Sequence, residues 1–335
     1  MGGIAIAGTL VADVIKIIDH YPKKGALADI CDIRYGIGGC AANTAVGVKR
    51  LDPSIEVKSI GLVGKDSMGD FLKTNLAKYG VDCSRVQEIE GETTAFSDVM
   101  TVKETGERTF FHTRGASRQF DEASLGLETL DAELVLIGYG GLLDALNAPE
   151  PNYGNALAKA FADLKKKGIR TALDVATMKD PVKMQQLVVP SLPYVDYLIV
   201  NEIEGGMIAG IEARDENGVL QLGRMRQICE KIVSFGARCC VLHAPELGCA
   251  ADQSGVYYEE PSLNLPGGYI VGAVGAGDSF CAGILYAMYR NLSLGEALKI
   301  GAAVAAANLS AEDSVSGLRS IEETMELYKR YGFRK

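Results

Sequence analysis

The sequence predicts an α/β fold: a doubly wound, mostly parallel sheet with helices on both faces, joined to a small separate β-sheet. From about residue 130 onward, short apolar segments alternate regularly with amphipathic ones, which is typical of parallel strands linked by helices. Before that point, several strand-like segments follow one another too closely for a helical connection. Glycine makes up 39 of 335 residues, about 12% against a usual share of about 7%, which favours many tight turns between strands and helices.

The elements follow in order from local patterns. Residues 4–8 form an apolar run that ends in glycine, which predicts a buried strand. Segments 14–19 and 27–35 are rich in isoleucine and predict strands of the small sheet, whereas the apolar residues of 41–51 share one face and predict a helix. Further strands are predicted at 57–64, 93–102, 108–113, 134–138, 170–174, 197–200 and 239–243, and further helices at 68–79, 155–167, 225–235, 278–289 and 294–309.

The pair of strands at 93–102 and 108–113, with Gly106 in the turn between them, predicts a hairpin. A hairpin does not fit the parallel alternation of the rest of the chain. We interpret it, together with the strands before residue 40, as a small sheet inserted into the core. The chain therefore divides into an α/β core of residues 1–13, 41–92 and 116–335 and a small-sheet unit of residues 14–40 and 93–115.

Charge and composition argue against several classes of protein. Lys and Arg number 34 against 43 Asp and Glu, and the net charge of −9 argues against nucleic acid as a partner. No signal peptide is recognisable, and the most apolar helical segment, 300–311, is too short to span a bilayer, so we expect a cytoplasmic protein with no membrane partner. Eight cysteines without a CxxC pair and three scattered histidines argue against zinc and favour buried thiols in a reducing compartment.

Polar residues at the ends of predicted strands are the first candidates for a site, because ligands of doubly wound sheets bind at the carboxyl ends of the strands. Asp13, Asp174, Asn201 and Glu204 hold such positions, as does the loop before Asp278. The oxygens of Asn201 and Glu204 can hold Mg²⁺ beside a polyphosphate, directly or through water. The alternative is that they form a helix N-terminus with acidic residues in its first turn.

The strongest local feature is Gly275-Ala276-Gly277-Asp278 at the start of a predicted helix. Small residues leave the backbone amides open, and the amides and dipole of a helix N-terminus favour an anion. A carboxylate beside such an anion cradle can take a proton from a hydroxyl group, which suits phosphoryl transfer. The alternative is that Asp278 only caps the helix and the glycines form a tight turn.

A dinucleotide fingerprint is also present. Gly36, Gly38 and Ala41 make a G-x-G-x-x-A match, with Glu56 at about the distance of a ribose-binding acid. The strand before this match belongs to the predicted small sheet, which counts against a dinucleotide site.

The sequence resembles the ribokinase-like (PfkB) family of carbohydrate and nucleoside kinases over nearly its whole length. The segment from Gly38 to Asn43 is similar to the family's substrate-binding G-G-x-x-x-N motif, and 60–69 is similar to its first signature, G-x-x-G-x-D-x-x-G. Residues 201–204 match the family's N-x-x-E motif, and 275–278 match its second signature. The resemblance rests on these four motifs in the family's order and spacing.

The resemblance implies an α/β core with a small β-sheet as a lid over a sugar, and an ATP- and Mg²⁺-dependent transfer to a hydroxyl. It implies that Asp278 is the base and that Gly275, Ala276 and Gly277 form the anion hole. It assigns the substrate to Asp13, Gly38, Gly39 and Asn43, the nucleotide to Asn201, Glu204 and Gly248, and the metal ion to Glu204. From their positions at strands, His112 is added as a substrate candidate and His243 as a nucleotide candidate.

Three segments depart from the family pattern. Residues 272–274 read Gly-Ala-Val where the family usually has Asp-Thr-Thr, whose oxygens often bind a monovalent cation, so activation by K⁺ is in doubt. In the nucleotide loop, His243 replaces Thr and Pro245 replaces Gly, which removes a donor on the adenine side. Ser117 stands where the family often has Asn.

Two histidines have alternative interpretations. His112 lies on the second strand of the predicted hairpin and either contacts the substrate or is an ordinary half-exposed strand residue. His243, at a strand end, is placed to stack on the nucleotide or to hydrogen-bond it.

The main hypothesis is therefore an ATP-dependent kinase that phosphorylates a hydroxyl of a small sugar or nucleoside, whose identity the sequence does not reveal. Two departures, Pro245 and the segment just before Gly275, support an alternative, a non-catalytic sugar- or nucleotide-binding relative. The Gly36 fingerprint supports a third, a dinucleotide-dependent oxidoreductase. Because an exposed small sheet commonly needs a partner to cover it, we expect a homodimer that associates through this sheet.

Overall fold

A computed structural model describes residues 2–334 of the chain. The strands are β1 (Ile4–Gly8), β2 (Val11–Ile18), β3 (Ile30–Gly38), β4 (Val57–Gly64), β5 (Asp82–Ile89), β6 (Ala95–Val102), β7 (Arg108–Thr113), β8 (Leu134–Gly138), β9 (Pro149–Glu150), β10 (Gly154–Asn155), β11 (Arg170–Leu173), β12 (Tyr197–Asn201), β13 (Cys239–His243), β14 (Leu247–Asp252) and β15 (Tyr257–Pro261). The α-helices are α1 (Cys40–Leu51), α2 (Ser67–Lys78), α3 (Ala156–Lys166), α4 (Pro181–Val188), α5 (Glu202–Ala209), α6 (Leu222–Ser234), α7 (Ala276–Tyr289), α8 (Leu294–Asn308) and α9 (Ile321–Tyr331). Short 3-10 helices lie at Gly115–Gln119, Ala123–Leu125, Leu127–Thr129, Gly140–Leu142 and Val189–Tyr194.

Within this described region, nine strands form one large sheet in the order β15-β14-β13-β12-β11-β8-β1-β4-β5. The strands from β13 to β5 pair in parallel, and β14 and β15 extend the sheet antiparallel at one edge. From β1 the chain adds β4 and β5 on one side and later β8, β11, β12 and β13 on the other. The connections that follow β1 and β8 therefore diverge and leave a crevice at the carboxyl ends of these strands. The predicted fold class is confirmed.

Helices pack on both faces of the large sheet, and β1 illustrates how the sequence achieves this. Its residues alternate between two hydrophobic cores: Ala5 and Ala7 belong to one, Ile4 and Ile6 to the other. The first core contains buried side chains of α3, α4 and α6, and the second contains those of α1, α2, α7 and α8. A strand buried on both sides reads as a continuous apolar run, as predicted for this segment. No helix within residues 2–334 is long and apolar enough to cross a membrane.

The small sheet consists of β3, β2, β6 and β7 in that order. β2 pairs with β6 in parallel, and the outer pairs are antiparallel, including the predicted hairpin of β6 and β7. Only Thr9 and Leu10 separate β1 from β2, so the chain passes directly from the large sheet into the small one. This short connection places the small sheet next to the crevice.

Several elements were not predicted, and each lacks the pattern on which the prediction relied. Most residues of the edge strand β5 are exposed or half-buried, so it shows no apolar run. β14 is built largely from small residues. α4 and α5 have only eight residues each, too few to show helical periodicity. β3 begins at Ile30, three residues later than predicted.

Candidate active site

Side chains from distant parts of the chain meet at the carboxyl edge of the large sheet, beneath the small sheet. Asn43 of α1 donates from Nδ2 to the Asp278 carboxylate at 2.8 Å. The hydroxyl of Tyr139, the residue directly after β8, lies 2.9 Å from Oδ1 and 3.0 Å from Oδ2 of the same carboxylate. The structure therefore brings Asn43 and Asp278, both assigned to the site by the resemblance, into direct contact, and it adds Tyr139, which the sequence analysis did not name.

Asp278 is the third residue of α7 and is only 5% exposed. The residue at the N-cap position is Gly275, and no side chain caps the helix. The alternative that Asp278 is a helix cap is therefore wrong, because its carboxylate faces Asn43 and Tyr139 instead. Burial raises the pKa of Asp278, and the hydrogen bonds from Asn43 and Tyr139 oppose that rise. A buried carboxylate with open coordination sites is suited to accept a proton.

Ser314 joins the cluster of Asn43, Tyr139 and Asp278 through its contact with Asn43. Its hydroxyl lies 2.9 Å from both the Asn43 Oδ1 atom and the carbonyl of Ile37. The hydroxyl has one hydrogen and can donate it to either oxygen; donation to Oδ1 favours the orientation of the Asn43 amide with its Nδ2 toward Asp278. The orientation of Asn43 thus depends on the loop after α8.

The start of α7 leaves several backbone amides open. Gly275 has φ 75°, a left-handed conformation that favours glycine, and a Cβ added there would lie 2.6 Å from Ser314 Cβ. Ala276 donates to the Ala273 carbonyl at 3.3 Å. The amides of Gly275, Gly277 and Asp278 donate to no acceptor among residues 2–334. Half-buried, unpaired amides at the start of a 14-residue helix suit an anion.

The inner face of the small sheet carries Asp13, Ser97 and His112, which are opposite one another in register on β2, β6 and β7. The Ser97 hydroxyl lies 3.1 Å from His112 Nδ1, and Ser97 is the register partner of Asp13. Burial raises the pKa of Asp13 to about 6, and the Asp278 charge adds to this. Gly38 is buried beside Asp13 at the end of β3, and Gly39 is the residue at the N-cap of α1.

Asn201 and Glu204 form the N-terminus of α5. Asn201 Oδ1 accepts hydrogen bonds from the amides of Ile203 and Glu204 at 2.9 and 2.8 Å, and Glu204 Oε2 accepts from the Asn201 amide at 3.0 Å. This capping box is the helix-terminus alternative raised from the sequence. The remaining oxygen of Glu204, Oε1, accepts from the Thr177 hydroxyl at 2.7 Å.

A second buried carboxylate, Asp174, follows β11 and is 8% exposed. Burial and then the charges of Glu204 and Asp278 raise the pKa of Asp174, and burial raises the pKa of Glu204 to about 7. Two mutually repelling carboxylates fit a bound cation. No group of three His, Cys, Asp or Glu side chains within residues 2–334 is arranged to hold a metal ion, so a cation there would need ligands from the substrate or from water.

His243 ends β13, next to the open amides. Its ring packs on Phe280 with 5.0 Å between centroids, and a Cβ added to Gly277 would lie 3.3 Å from its Cε1 atom. Burial lowers the pKa of His243 to about 4, so the imidazole is neutral. Gly248 pairs with His243 from β14, but it is buried against the Phe280 ring and lies under the site rather than in it.

An open cleft of about 1050 Å³ separates the small sheet from the loops at 271–274 and 312–313. Arg34 of β3 contacts Glu312 across this cleft at 2.5 Å, and Arg108 of β7 donates to the Glu312 carbonyl at 3.3 Å. These contacts join the small sheet to the loop that also carries Ser314.

The G-x-G-x-x-A match lies elsewhere in the topology than a dinucleotide site requires. Gly36 and Gly38 belong to β3, whose partner in the small sheet is antiparallel. A dinucleotide fingerprint connects a strand of a parallel sheet to its crossover helix. The oxidoreductase alternative therefore lacks its structural basis.

Sequence reasoning missed Tyr139 and Ser97 as parts of the site, and it considered Ser314 only as a ligand for a monovalent cation, not as a partner of Asn43. A signal for Tyr139 was present, because it is the polar residue directly after the buried strand β8, as Asp174 is after β11. Ser97 and Ser314 carry no comparable local signal.

Comparisons with known proteins identify the family and the fold. Residues 3–320 match the family described as pfkB family carbohydrate kinase. The chain is 24% identical to a ribokinase of Haemophilus influenzae over 330 residues, which cover 96% of this chain and 97% of that protein. It is also 24% identical to a nucleoside kinase of Methanocaldococcus jannaschii over 338 residues, with 99% of each covered. The solved structure of Arabidopsis thaliana ribokinase complexed with ribose and ATP has the same fold, with a TM-score of 0.81 and 22% identity over 98% of this chain and 99% of that one.

Proposed function

This chain belongs to the pfkB family of carbohydrate kinases, and we propose that it transfers the γ-phosphoryl group of ATP to a hydroxyl of a small sugar or nucleoside. The observation that carries the proposal is the buried Asp278 carboxylate directly beside the open amides at the start of α7. A proton acceptor and an anion cradle within one helical turn are the two groups that this transfer needs.

Asp278 accepts the proton of the acceptor hydroxyl. The oxygen that loses this proton forms the bond to the γ-phosphorus, and the bond from that phosphorus to the bridging oxygen breaks to leave ADP. The open amides of Gly275 and Gly277 form the anion hole, where they stabilise the negative charge on the transferring group. Because these amides are held at the helix start, little reorganisation accompanies the reaction. The Ala276 amide, which the resemblance also assigns to the anion hole, donates to the Ala273 carbonyl instead.

The acceptor binds between the small sheet and the core. Asp13 supplies a carboxylate for its hydroxyl groups, and Asn43 has one amide hydrogen beyond the one given to Asp278. Gly38 and Gly39 let the acceptor approach the backbone, and His112 contributes through its position beside Ser97. This arrangement supports a polyhydroxylated substrate.

The nucleotide binds on the side of β12 and β13, where Asn201, Glu204 and His243 are the proposed contacts, while the buried Gly248 lies beneath them against Phe280. Glu204, with Asp174 nearby, is the proposed protein group for Mg²⁺, since their buried charges repel one another without a cation. When bound, Mg²⁺ neutralises charge on the nucleotide phosphates. The neutral imidazole of His243, adjacent to Gly277, can donate or accept a hydrogen bond there without adding charge.

The test is release of ADP from ATP over a panel of pentoses, hexoses, sugar acids and nucleosides. We expect one class of acceptor to stimulate release, and Asp278→Asn to lower kcat by about 10²–10⁴-fold while the melting temperature and acceptor binding persist. Wild-type kcat in the Asp278→Asn variant would show that Asp278 is not the base.

Non-catalytic binding is the second candidate, supported by the sequence of the 272–274 segment and by Pro245. Stabilisation of the protein by a sugar or by ATP, without ADP release for any acceptor, would favour it over the kinase. Thermal-shift measurements and the ADP-release assay together therefore separate the two functions.

We also propose that the small-sheet unit of residues 14–40 and 93–115 acts as a lid over the core of residues 1–13, 41–92 and 116–335. Its outer face exposes Ile33, Tyr35 and Phe111, which lie on one side of the sheet by register. These apolar groups support a homodimer formed through the small sheet. Sedimentation velocity measures this state directly.

A further inference from the structure

The charged form of Asp278 is unfavourable in its surroundings. The carboxylate is buried, and burial raises its pKa. The hydrogen bonds from Asn43 and Tyr139 oppose this rise in the pKa of Asp278, and no cationic side chain of residues 2–334 contributes to this opposition. The other titratable groups that interact with Asp278 are acids: Asp13 on β2, Cys40 on α1, Asp174 after β11 and Cys281 on α7. Two neutral donors therefore have to keep the base ionised.

Of these two donors, the Tyr139 hydroxyl interacts with the whole carboxylate. It lies within 3.0 Å of both oxygens, whereas Asn43 reaches Oδ2 only. Oδ1 has no other hydrogen-bond partner among residues 2–334, so this oxygen stays open to an incoming hydroxyl. Hydrogen bonds to an ionised acceptor are stronger than those between neutral groups.

The backbone of Tyr139 provides independent support. Tyr139 has φ 55° and ψ 40°, and apart from Asn291 it is the only non-glycine residue of the described chain with a positive φ. Bulky side chains rarely adopt this left-handed conformation, which is typical of glycine and asparagine. Gly138 and Gly140 flank it, so glycine occupies the positions on either side while tyrosine occupies the strained one. Strain of this kind persists mainly where function requires the side chain.

We propose that Tyr139 is a positioning residue for Asp278: its hydroxyl holds the carboxylate ionised and in one orientation, with Oδ1 directed to the acceptor. The inference rests on the proposed function, since it assumes that Asp278 is the base. It assigns to the residue after β8 a role in setting the pH range over which the enzyme works.

The pH dependence of kcat/KM tests this role with Tyr139→Phe, which keeps the ring and removes the hydroxyl. We expect the acid limb to move upward by about one pH unit, so that kcat/KM falls about tenfold below the wild-type midpoint and much less on the plateau. Tyr153→Phe is the matched control, because the Tyr153 hydroxyl contacts only Lys166 at the surface, and its acid limb should match the wild type. An unshifted limb in Tyr139→Phe, or an equal loss at every pH, would overturn the proposal.

A double-mutant cycle keeps the test independent of activity. The melting temperatures of wild type, Tyr139→Phe, Asp278→Asn and the double variant are compared at pH 8 without substrate. We expect the two substitutions to be non-additive, because Tyr139→Phe removes the hydrogen bond and Asp278→Asn removes the charge that strengthens it. Additive effects would contradict the contact between Tyr139 and an ionised Asp278. If the wild type phosphorylates no acceptor, the proposed function fails, whereas the cycle still decides whether the Tyr139 hydroxyl interacts with an ionised Asp278.

Discussion

Gly38→Ala should separate acceptor binding from catalysis. Gly38 is buried at the end of β3, and a Cβ added there would lie 2.6 Å from Asp13 Oδ2 and 3.0 Å from Asp13 Cγ. Contacts of a Cβ below 3.0 Å are essentially never found, so the Asp13 carboxylate must move. Asp13 faces Ser97 in register on the inner face of the small sheet, and displacement of its carboxylate would remove its proposed contact with the acceptor.

The size of the effect follows from the bond that is lost. A hydrogen bond to a charged group contributes about 1.5–3 kcal/mol, and each change of about 1.4 kcal/mol is tenfold in binding. Loss of one such bond should therefore raise KM for the acceptor by about 10- to 150-fold. The KM for ATP should remain near the wild-type value, because Gly38 lies on the small sheet and the proposed nucleotide contacts lie on β12 and β13.

Steady-state kinetics with each substrate varied in turn is the assay, and Gly36→Ala is the matched control. Gly36 lies two residues earlier on the same strand, and a Cβ there would lie 3.8 Å from both Asp13 Cβ and Ile15 Cδ1, which is ordinary contact. The control should therefore keep an acceptor KM close to the wild type. Equal acceptor KM values in the two variants, or a matching rise in the KM for ATP, would refute the placement of Asp13 in the acceptor site.

Three further predictions concern the metal ion, the monovalent cation and pH. Glu204→Gln should raise the Mg²⁺ concentration needed for half-maximal rate, while the capping box of α5 survives because glutamine can also cap. The control is Glu296→Gln in the capping box of α8. Superimposable Mg²⁺ titrations for the two variants would remove Glu204 from the site. Turnover should not rise on adding KCl to a choline buffer at matched ionic strength, since Gly272, Ala273 and Val274 offer no side-chain oxygens; a several-fold increase specific to K⁺ would contradict this. The acceptor KM should rise as pH falls through about 6, because the pKa of Asp13 is raised to about 6 and its protonated form is the poorer acceptor. A carboxyl group whose pKa is higher in the folded than in the unfolded chain destabilises the fold as pH rises through the interval between the two pKa values. Calorimetry of Asp13→Asn should therefore show a higher melting temperature than wild type at pH 7.5 but not at pH 4. The reverse result would exclude the raised pKa.

Local sequence patterns were sufficient wherever an element had a distinct apolar period. The strands at 57–64, 108–113, 134–138 and 239–243 agree with the structure at both ends. The missed helix α9 had a signal that was available, since Ser320 and Glu323 form a capping box, and α4 begins with Asp180 as cap and proline in its first turn. The edge strand β5 had no such signal, because most of its residues remain exposed or half-buried and are under no pressure to be apolar.

The candidate site was only partly accessible from the sequence. The glycine-rich start of α7 and the residues at strand ends were identified, because a turn between strand and helix imposes its own local residue preferences. Whether Asp278 caps its helix or faces a cleft was left open, since aspartate suits both positions. For Asn201 and Glu204 the same ambiguity has the opposite result: these two residues do cap their helix, and the buried Asp174 lies nearby.

The sequence by itself determined the alternation of strands and helices, the acidic surface and the chain segments that carry the four motifs, because these follow from interactions between residues close in the chain. Only the tertiary structure decided which side chains meet. Asn43 and Tyr139 are 235 and 139 residues away from Asp278, and the three come together because the order of strands in the sheet places β8 beside β1 and packs α1 against α7. Such contacts depend on the packing of whole layers around a shared core, and a local window of sequence contains no record of that packing.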